Sequence, residues 1–212
     1  MPPSQSTPPF EAPTLLLIFL CYLTWITALL SVPLWLAIPL LGLAIAMHSS
    51  LCHEILHNHP TPWQWLNTAL VRPGLGLTVP YGRFRDTHLA HHRDESLTDP
   101  YDDPESNFWD PKVWPNLSPL FKLILNLNNT LLGRMILGPA IGTILFIRTD
   151  IRLIQTGHHS VLKSWLAHLV WTMPVVAVVL GADFPLWAYV LSCYLGQSLI
   201  RIRTFLEHRA HL

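Results

Sequence analysis

Residues 32–57 run from an apolar segment directly into a pair of histidines and read VPLWLAIPLLGLAIAMHSSLCHEILH. The apolar part, residues 32–47, is slightly shorter than the roughly 20 residues that a membrane-spanning helix needs, but its flanks can extend it. We therefore predict a spanning helix whose continuation carries His53 and His57 out of the bilayer.

Three further apolar runs lie before and after residues 32–47. One precedes it at residues 15–30, and two lie near the C-terminus at residues 165–180 and 185–200. The linkers within each pair of runs, residues 31–33 and 181–184, are too short to hold a domain. Pro33 and Pro185 stand where a new helix starts and no amide donor is needed. We predict an all-α membrane protein with four transmembrane helices in two hairpins.

The composition of the whole chain agrees with a membrane protein. Of its 212 residues, 50% are hydrophobic and only 12% are charged, and the mean hydropathy is +0.35. The formal net charge of +0 gives no general attraction to nucleic acid, so we expect no nucleic-acid partner. Three cysteines without paired spacing support neither a disulfide framework nor a thiolate zinc site.

We expect a single membrane-embedded domain over residues 1–212. It divides into an N-terminal tail (1–14), a first helical hairpin (15–47), a histidine-box region (48–164) and a second hairpin (165–206). Every lysine and arginine lies within residues 72–163 or 201–209. Because basic residues favour the cytoplasmic side, the central region and the C-terminus are predicted to be cytoplasmic. Four spans then place the N-terminus there too.

The central region contains two apolar segments that are broken by polar residues, glycine or proline. Residues 120–128 and 131–147 are interrupted by asparagines, Arg134 and Pro139, which is typical of helices lying at the membrane interface. An alternative with five or six spans, in which residues 133–147 cross the membrane, stays open.

Two histidine boxes carry the chemistry that the sequence predicts. His53 and His57 are spaced i and i+4, and His88, His91 and His92 are spaced i, i+3 and i+4, so each box presents its imidazoles on one helix face. Clustered imidazoles with few sulfur ligands favour iron, copper or zinc over magnesium or calcium. We predict a metal site on the cytoplasmic side.

The two hairpins bring a sixth histidine to the same height. His57 lies 25 residues beyond Val32 and His208 lies 24 beyond Phe184. At about 1.5 Å per residue, both would stand at nearly the same distance above the membrane, so His208 is a candidate ligand. Carboxylates near the boxes could accept a hydrogen bond from a ligand's other ring nitrogen. The candidates for this role are Glu54, Asp94, Glu95 and Glu207.

The remaining histidines have simpler interpretations. His48 and His59 are expected to be structural, and His158 and His159 to meet lipid headgroups. His168 falls inside the third run, where an ionisable group indicates either a function or a hydrogen bond between helices.

These boxes, their order and the hairpin layout resemble the integral-membrane fatty acid desaturase superfamily, which also includes lipid hydroxylases and ketolases. The resemblance covers most of the chain and rests on His-x-x-x-His at 53–57 and His-x-x-His-His at 88–92. The runs TDPYDDPES at 98–106 and RTFLEHR at 203–209 are similar to the bacterial branch in particular. The two boxes are specific as a pair.

The resemblance implies a di-iron centre at the cytoplasmic face of a bacterial inner membrane. Such a centre activates oxygen and removes two hydrogens from a lipid acyl chain, with electrons from an external donor such as ferredoxin or a cytochrome. No catalytic residue beyond the metal ligands is implied. The metal centre matters because breaking an unactivated C–H bond is beyond side-chain acid–base chemistry.

One departure from the family pattern concerns the C-terminus. The family has a third His-x-x-His-His box after the fourth span, whereas residues 208–212 read HRAHL, with Leu212 in place of the last histidine. We therefore do not count residues 208–212 as the third box and expect a chain that lacks part of the C-terminal region. An accidental substitution by His211 for one of the absent ligands stays open as a minor alternative. The leading hypothesis is an oxygen-dependent fatty acyl desaturase. The alternatives are a related hydroxylase or ketolase and an inactive, truncated remnant.

Overall fold

The protein is built from helices. The computed structural model describes residues 10–91 and 112–207, and the side chains of 10–90 and 112–202. These residues form eight α-helices and one short 3-10 helix, and no strand occurs among them. The α-helices are α1 (Ala12–Ser31), α2 (Leu34–Leu56), α3 (Gln64–Val71), α4 (Tyr81–His91), α5 (Pro119–Asn128), α6 (Leu131–Gln155), α7 (His159–Gly181) and α8 (Leu186–Glu207). The predicted all-α class is confirmed.

Four of these helices are long and apolar enough to cross a membrane: α1, α2, α6 and α7. Large apolar side chains cover their outer surfaces, among them Phe19, Trp35, Leu169 and Met173, which is exposed to 67%. A soluble monomer rarely exposes so much contiguous apolar surface, whereas a lipid-facing helix requires it.

The number of four spanning candidates agrees with the prediction, but one member of the set differs. The runs at 15–30, 32–47 and 165–180 correspond to α1, α2 and α7. The fourth run is a helix, α8, but its described residues include Gln197 and Arg201, and it is not among the four. In its place stands α6, which continues through Pro139 as one helix of 25 residues. Crossing by α6 was the alternative that the sequence left open.

Prolines and hydroxyl side chains mark the helix starts. Pro33 is the N-cap of α2, and α8 begins directly after Pro185, as the sequence predicts. The Ser118 hydroxyl accepts a hydrogen bond of 3.2 Å from the Phe121 amide at the start of α5. Thr130 caps α6 in the same way through the Gly133 amide, at 3.0 Å. These caps satisfy amide groups that the first turn leaves without partners.

The chain divides into two compact units, residues 1–81 with 165–196 and residues 82–164 with 197–212. In the first unit, α1 packs along α2, and the Cys21 thiol donates to the Ala44 carbonyl at 3.3 Å. α2 also meets α8 closely, because a Cβ on Gly196 would lie 3.0 Å from the Gly42 carbonyl oxygen. Small residues at such crossings allow the helix backbones to approach.

In the second unit, α5 packs against α6, and hydrogen bonds join α6 to the last turns of α8. The Ser198 hydroxyl donates to the Met135 carbonyl at 2.7 Å, and the Thr143 hydroxyl donates to the Gln197 side chain at 3.2 Å. α6 also forms an ion pair with α4, between Asp150 and Arg83.

Candidate metal centre

The first histidine box lies where α2 ends. α2 stops at Leu56, so His53 belongs to its last turn and His57 is the C-cap residue, whose amide donates back to the carbonyls of Glu54 and Ile55. The imidazole rings of His53 and His57 lie with centroids 5.0 Å apart and planes at 60°. A nitrogen of one ring lies within 4.8 Å of a nitrogen of the other. The i, i+4 spacing therefore brings two imidazoles to one face, even though the helix ends before the second.

Glu54 lies beside this pair. Its Oε1 is 3.6 Å from Nδ1 of His53, which is longer than a hydrogen bond. The Glu54 side chain is 54% exposed, against 20% for His53. Its role as a hydrogen-bond acceptor for a ligand histidine stays a prediction.

A polar network around the buried His48 lies one turn before the first histidine box on α2 and supports this part of the helix. The Tyr22 hydroxyl donates to the Leu70 carbonyl at 2.8 Å and lies 3.4 Å from Nε2 of His48. The other ring nitrogen of His48 is 3.7 Å from the Cys52 thiol. His48 thus joins α1 to α2, which agrees with its structural interpretation.

The segment after the box is fastened by Asn67 of α3. The Asn67 amide oxygen accepts from the Thr61 backbone N–H at 3.0 Å and from the Thr61 hydroxyl at 2.7 Å. Its amide nitrogen donates to the Thr61 carbonyl at 2.8 Å. Nearby, Nδ1 of His59 lies 2.6 Å from Oε1 of Glu11, and the Glu11 amide donates to the Pro60 carbonyl at 2.9 Å, which ties the chain to the start of α1. These bonds hold the turn through which the chain leaves His57.

The second box begins on α4, in the second unit. His88 is buried, with 8% exposure, and its ring stacks on Phe84 at a centroid distance of 5.5 Å and an interplanar angle of 23°. His91 is the last residue of α4, so the backbone from 88 to 91 is helical as the spacing predicts. His92 lies outside the described residues, as do Asp94, Glu95, His208 and His211. Glu207 ends α8, and its side chain is likewise not described.

An ion pair between Arg83 and Asp150 was missed by the sequence reasoning. Nε of Arg83 donates to both carboxylate oxygens at 3.0 Å, and Nη2 donates to Oδ1 at 2.8 Å. The two side chains are 11% and 2% exposed. A signal was present, because Asp150 is the single acidic residue of the 25-residue apolar helix α6. Such a carboxylate needs a buried partner.

His168 forms a hydrogen bond inside the first unit. Its Nε2 lies 3.0 Å from the carbonyl oxygen of Leu77, in the segment between α3 and α4. Gly74 makes room for the ring, because a Cβ there would lie 2.9 Å from Cε1 of His168. Of the two interpretations that the sequence left open, the hydrogen bond is the one observed, with a backbone partner in place of a second helix.

The donor atoms of the first box suit a transition metal. Two imidazoles on one face of a helix end offer nitrogen ligands of the type that iron, zinc and copper accept. The charged residue beside them, Glu54, has the sign that stabilises a cation. The ligand atoms and the charge of these residues are therefore of the types that suit an iron centre.

Comparison with known protein families gives a match over most of the chain. A family model described as fatty acid desaturase matches residues 29–211, a range that includes both histidine boxes and His208. No curated protein and no solved structure matches the chain.

Proposed function

The chain belongs to the fatty acid desaturase family, and from this we propose that it is an oxygen-dependent, di-iron enzyme that introduces a double bond into a lipid acyl chain. Membership itself indicates a lipid-modifying oxidoreductase of the desaturase type, and the four apolar helices agree with an integral membrane protein. That the centre holds two irons, uses O2 and forms a double bond is what we propose beyond family membership.

The observation that carries the proposal is the His53–His57 pair. The two rings lie 5.0 Å apart at the end of a helix that is apolar enough to cross a membrane. A lipid chain that stays in the bilayer can reach a metal centre held at the end of a spanning helix. A soluble substrate does not require the metal centre to be held beside the membrane. The pair therefore supports a metal centre that acts on lipid.

We propose that six histidines hold the metal, two from the first box, three from the second and one after α8. They are His53, His57, His88, His91, His92 and His208. When bound, iron supplies the oxidising power that an unactivated C–H bond requires. The overall change converts CH2–CH2 to CH=CH and takes up O2, two electrons and two protons to release two waters. The chain's own residues bind the metal, orient the acyl chain and exclude water.

An open apolar hollow in the surface of the first unit agrees with an acyl substrate. It has a volume of about 110 Å³ and is lined on α1 by Tyr22 and Trp25, on α7 by Pro174, Val175 and Val178, and by Pro73 and Leu75 between them. An apolar lining of this kind favours a hydrocarbon segment over a polar ligand.

The proposed orientation has the metal site and both termini in the cytoplasm of a bacterial cell. Arg148, Arg152 and Lys163 surround the turn between α6 and α7, and their side chains are exposed. If α6 crossed the membrane after the α1–α2 pair, this basic turn would lie on the opposite side from residues 57–130, against the positive-inside tendency. The charge distribution therefore favours an interfacial α6, with α8 as the fourth spanning helix, so that both termini lie on the same side. The external electron donor, a ferredoxin or a cytochrome, would then approach from the cytoplasm.

Product analysis tests the proposal. Membranes containing the full chain would be supplied with deuterated acyl lipids, O2 and a reduced ferredoxin, and the acyl chains analysed by mass spectrometry. We expect the acyl chains to lose two deuterium atoms, and only in the presence of O2. This loss should not occur in His53→Ala or His88→Ala, but it should persist in His159→Ala, which replaces an exposed histidine at the start of α7. A hydroxylated product would indicate the hydroxylase alternative. Product that survives both box variants would overturn the metal-centre proposal.

A further inference from the structure

Helix α4 is short and polar, yet it carries part of the proposed metal centre. It has 11 residues, and among its described side chains only Arg83 and His88 are buried. A helix of this length is marginal in isolation, so its position and rotation depend on the contacts it makes.

The first contact fixes the rotation of α4. The Arg83 guanidinium meets the Asp150 carboxylate of α6 edge to edge, through three hydrogen bonds of 2.8–3.0 Å. The ring of Phe146, one turn earlier on α6, lies 6.0 Å from the Arg83 Cζ. Because a guanidinium and a carboxylate pair in one common plane, this contact restrains direction as well as distance.

The second contact fixes the depth of the same turn. A Cβ on Gly82 would lie only 2.8 Å from the Ser164 hydroxyl oxygen, so the α4 backbone lies directly against the start of α7. Two neighbouring residues, Gly82 and Arg83, therefore anchor the first turn of α4 within the second unit.

His88 follows this anchor on the same rigid helix. It lies five residues after Arg83, about 7.5 Å along the axis. Its imidazole stacks on Phe84, the residue directly after Arg83. The orientation set at Arg83 is thus transmitted to the His88 ring over little more than one turn.

We propose that the Arg83–Asp150 pair is a positioning pair, which holds α4 so that His88 presents its ring to the metal. The inference rests on the proposed function for the metal itself, but the restraint on His88 belongs to the metal-free protein as well. Both charges of this pair are buried, and the pair joins the helix that carries His88 to another helix of the same unit.

The test compares conservative variants of two arginines on α4. Arg83→Lys keeps the charge but loses the planar, two-pronged contact. Arg85→Lys is the matched control, because Arg85 makes the same kind of bond to Asp86, at 3.0 and 3.1 Å, in an exposed position. Two double variants, Arg83→Met with Asp150→Leu and Arg83→Asp with Asp150→Arg, guard against loss of folding in the single variant. The first removes both buried charges, and the second reverses them.

Two readouts are needed, and neither is enzymatic activity. In metal-free, detergent-purified protein, the modification rate of His88 by diethyl pyrocarbonate would be followed by peptide mass spectrometry. Binding of Co²⁺ would then be titrated by its absorption spectrum. For Arg83→Lys and the apolar double variant we expect about tenfold faster modification and about tenfold weaker Co²⁺ binding. The charge-reversed variant should recover part of both, and Arg85→Lys should match the parent protein.

Each outcome decides a different point. An unchanged His88 modification rate in the folded Arg83→Lys or apolar double variant would overturn the positioning role. If the parent protein binds no Co²⁺ while His88 still becomes exposed in the variants, the proposed metal function fails and the restraint on α4 stands.

Discussion

Nε1 of Trp25 donates a hydrogen bond of 3.0 Å to the hydroxyl of Tyr189, and this bond joins α1 to α8 across 164 residues of chain. The Tyr189 hydroxyl in turn donates to the Leu75 carbonyl at 2.8 Å. Three segments of the first unit, α1, α8 and the chain between α3 and α4, thus meet at one buried phenol. The contact shows how the second hairpin is tied to the first inside that unit.

Removal of the indole donor should lower stability. Trp25→Phe leaves the Tyr189 oxygen without its donor and shrinks a nearly fully buried side chain, so we expect a loss of about 1–3 kcal/mol. Trp35→Phe is the control, because Trp35 is 75% exposed on the lipid-facing surface of α2. Thermal unfolding in detergent measures both. Equal melting temperatures for the two variants would show that the Trp25–Tyr189 bond contributes nothing.

A methyl group on Gly196 should disturb the crossing of α2 and α8. Its Cβ would lie 2.7 Å from Cγ2 of Ile45 and 3.0 Å from the Gly42 carbonyl oxygen, and the second of these atoms is backbone that cannot turn away. We expect Gly196→Ala to cost about 1–3 kcal/mol. Gly181→Ala should be neutral or slightly stabilising, because nothing lies within 4 Å of a Cβ there. Unfolding in detergent compares the two, and a stable Gly196→Ala protein would mean that the helices separate easily.

Asn67 should matter for the turn that follows the first histidine box. Asn67→Ala removes three hydrogen bonds to Thr61 and leaves buried backbone groups unpaired, so a loss of about 2–4 kcal/mol is expected. Asn116→Ala removes one exposed bond of 3.4 Å and serves as the control. Proteolysis between α2 and α3 should become faster in the first variant only. Unchanged protection of this segment would indicate that Thr61 finds other partners.

Metal binding should raise the melting temperature of the folded protein. A ligand that binds only the native state stabilises it by about 2.7 kcal/mol at a concentration one hundred times its Kd. Anaerobic Fe²⁺ is therefore expected to increase the melting temperature of the parent chain, and chelation should reverse the increase. His53→Ala and His57→Ala should abolish the shift, while His159→Ala retains it. A shift that persists without the first box would place the metal elsewhere.

Local pattern was enough to predict most of the helices. The apolar runs located α1, α2, α7 and α8 because a membrane helix needs a continuous apolar length, which is visible in any window of sequence. The i, i+4 spacing of His53 and His57 predicted a shared face, and their rings lie 5.0 Å apart. The sequence also predicted the helical start of the second box at His88.

Contacts between distant residues could not be predicted in the same way. The Arg83–Asp150 pair joins residues 67 positions apart, and the sequence around either residue does not identify its partner. The sequence predicted a broken helical segment at 131–147, and the extension of α6 as one continuous helix to Gln155 was not predicted. Its glycines and Pro139 indicate interruption in a single sequence, whereas the helix tolerates them and offers Gly138 and Gly142 as space beside Arg201.

The long separation of Arg83 from Asp150 has a consequence for biosynthesis. A ribosome that adds about 5–20 residues per second would finish Arg83 roughly 3–13 s before Asp150. During that interval the guanidinium has no carboxylate to meet, and α4 lacks the restraint that orients it. The first histidine box can form as soon as α2 is inserted, but the second has to wait for α6. Nascent chains arrested before residue 150 should therefore carry an ordered His53–His57 pair and an unanchored α4.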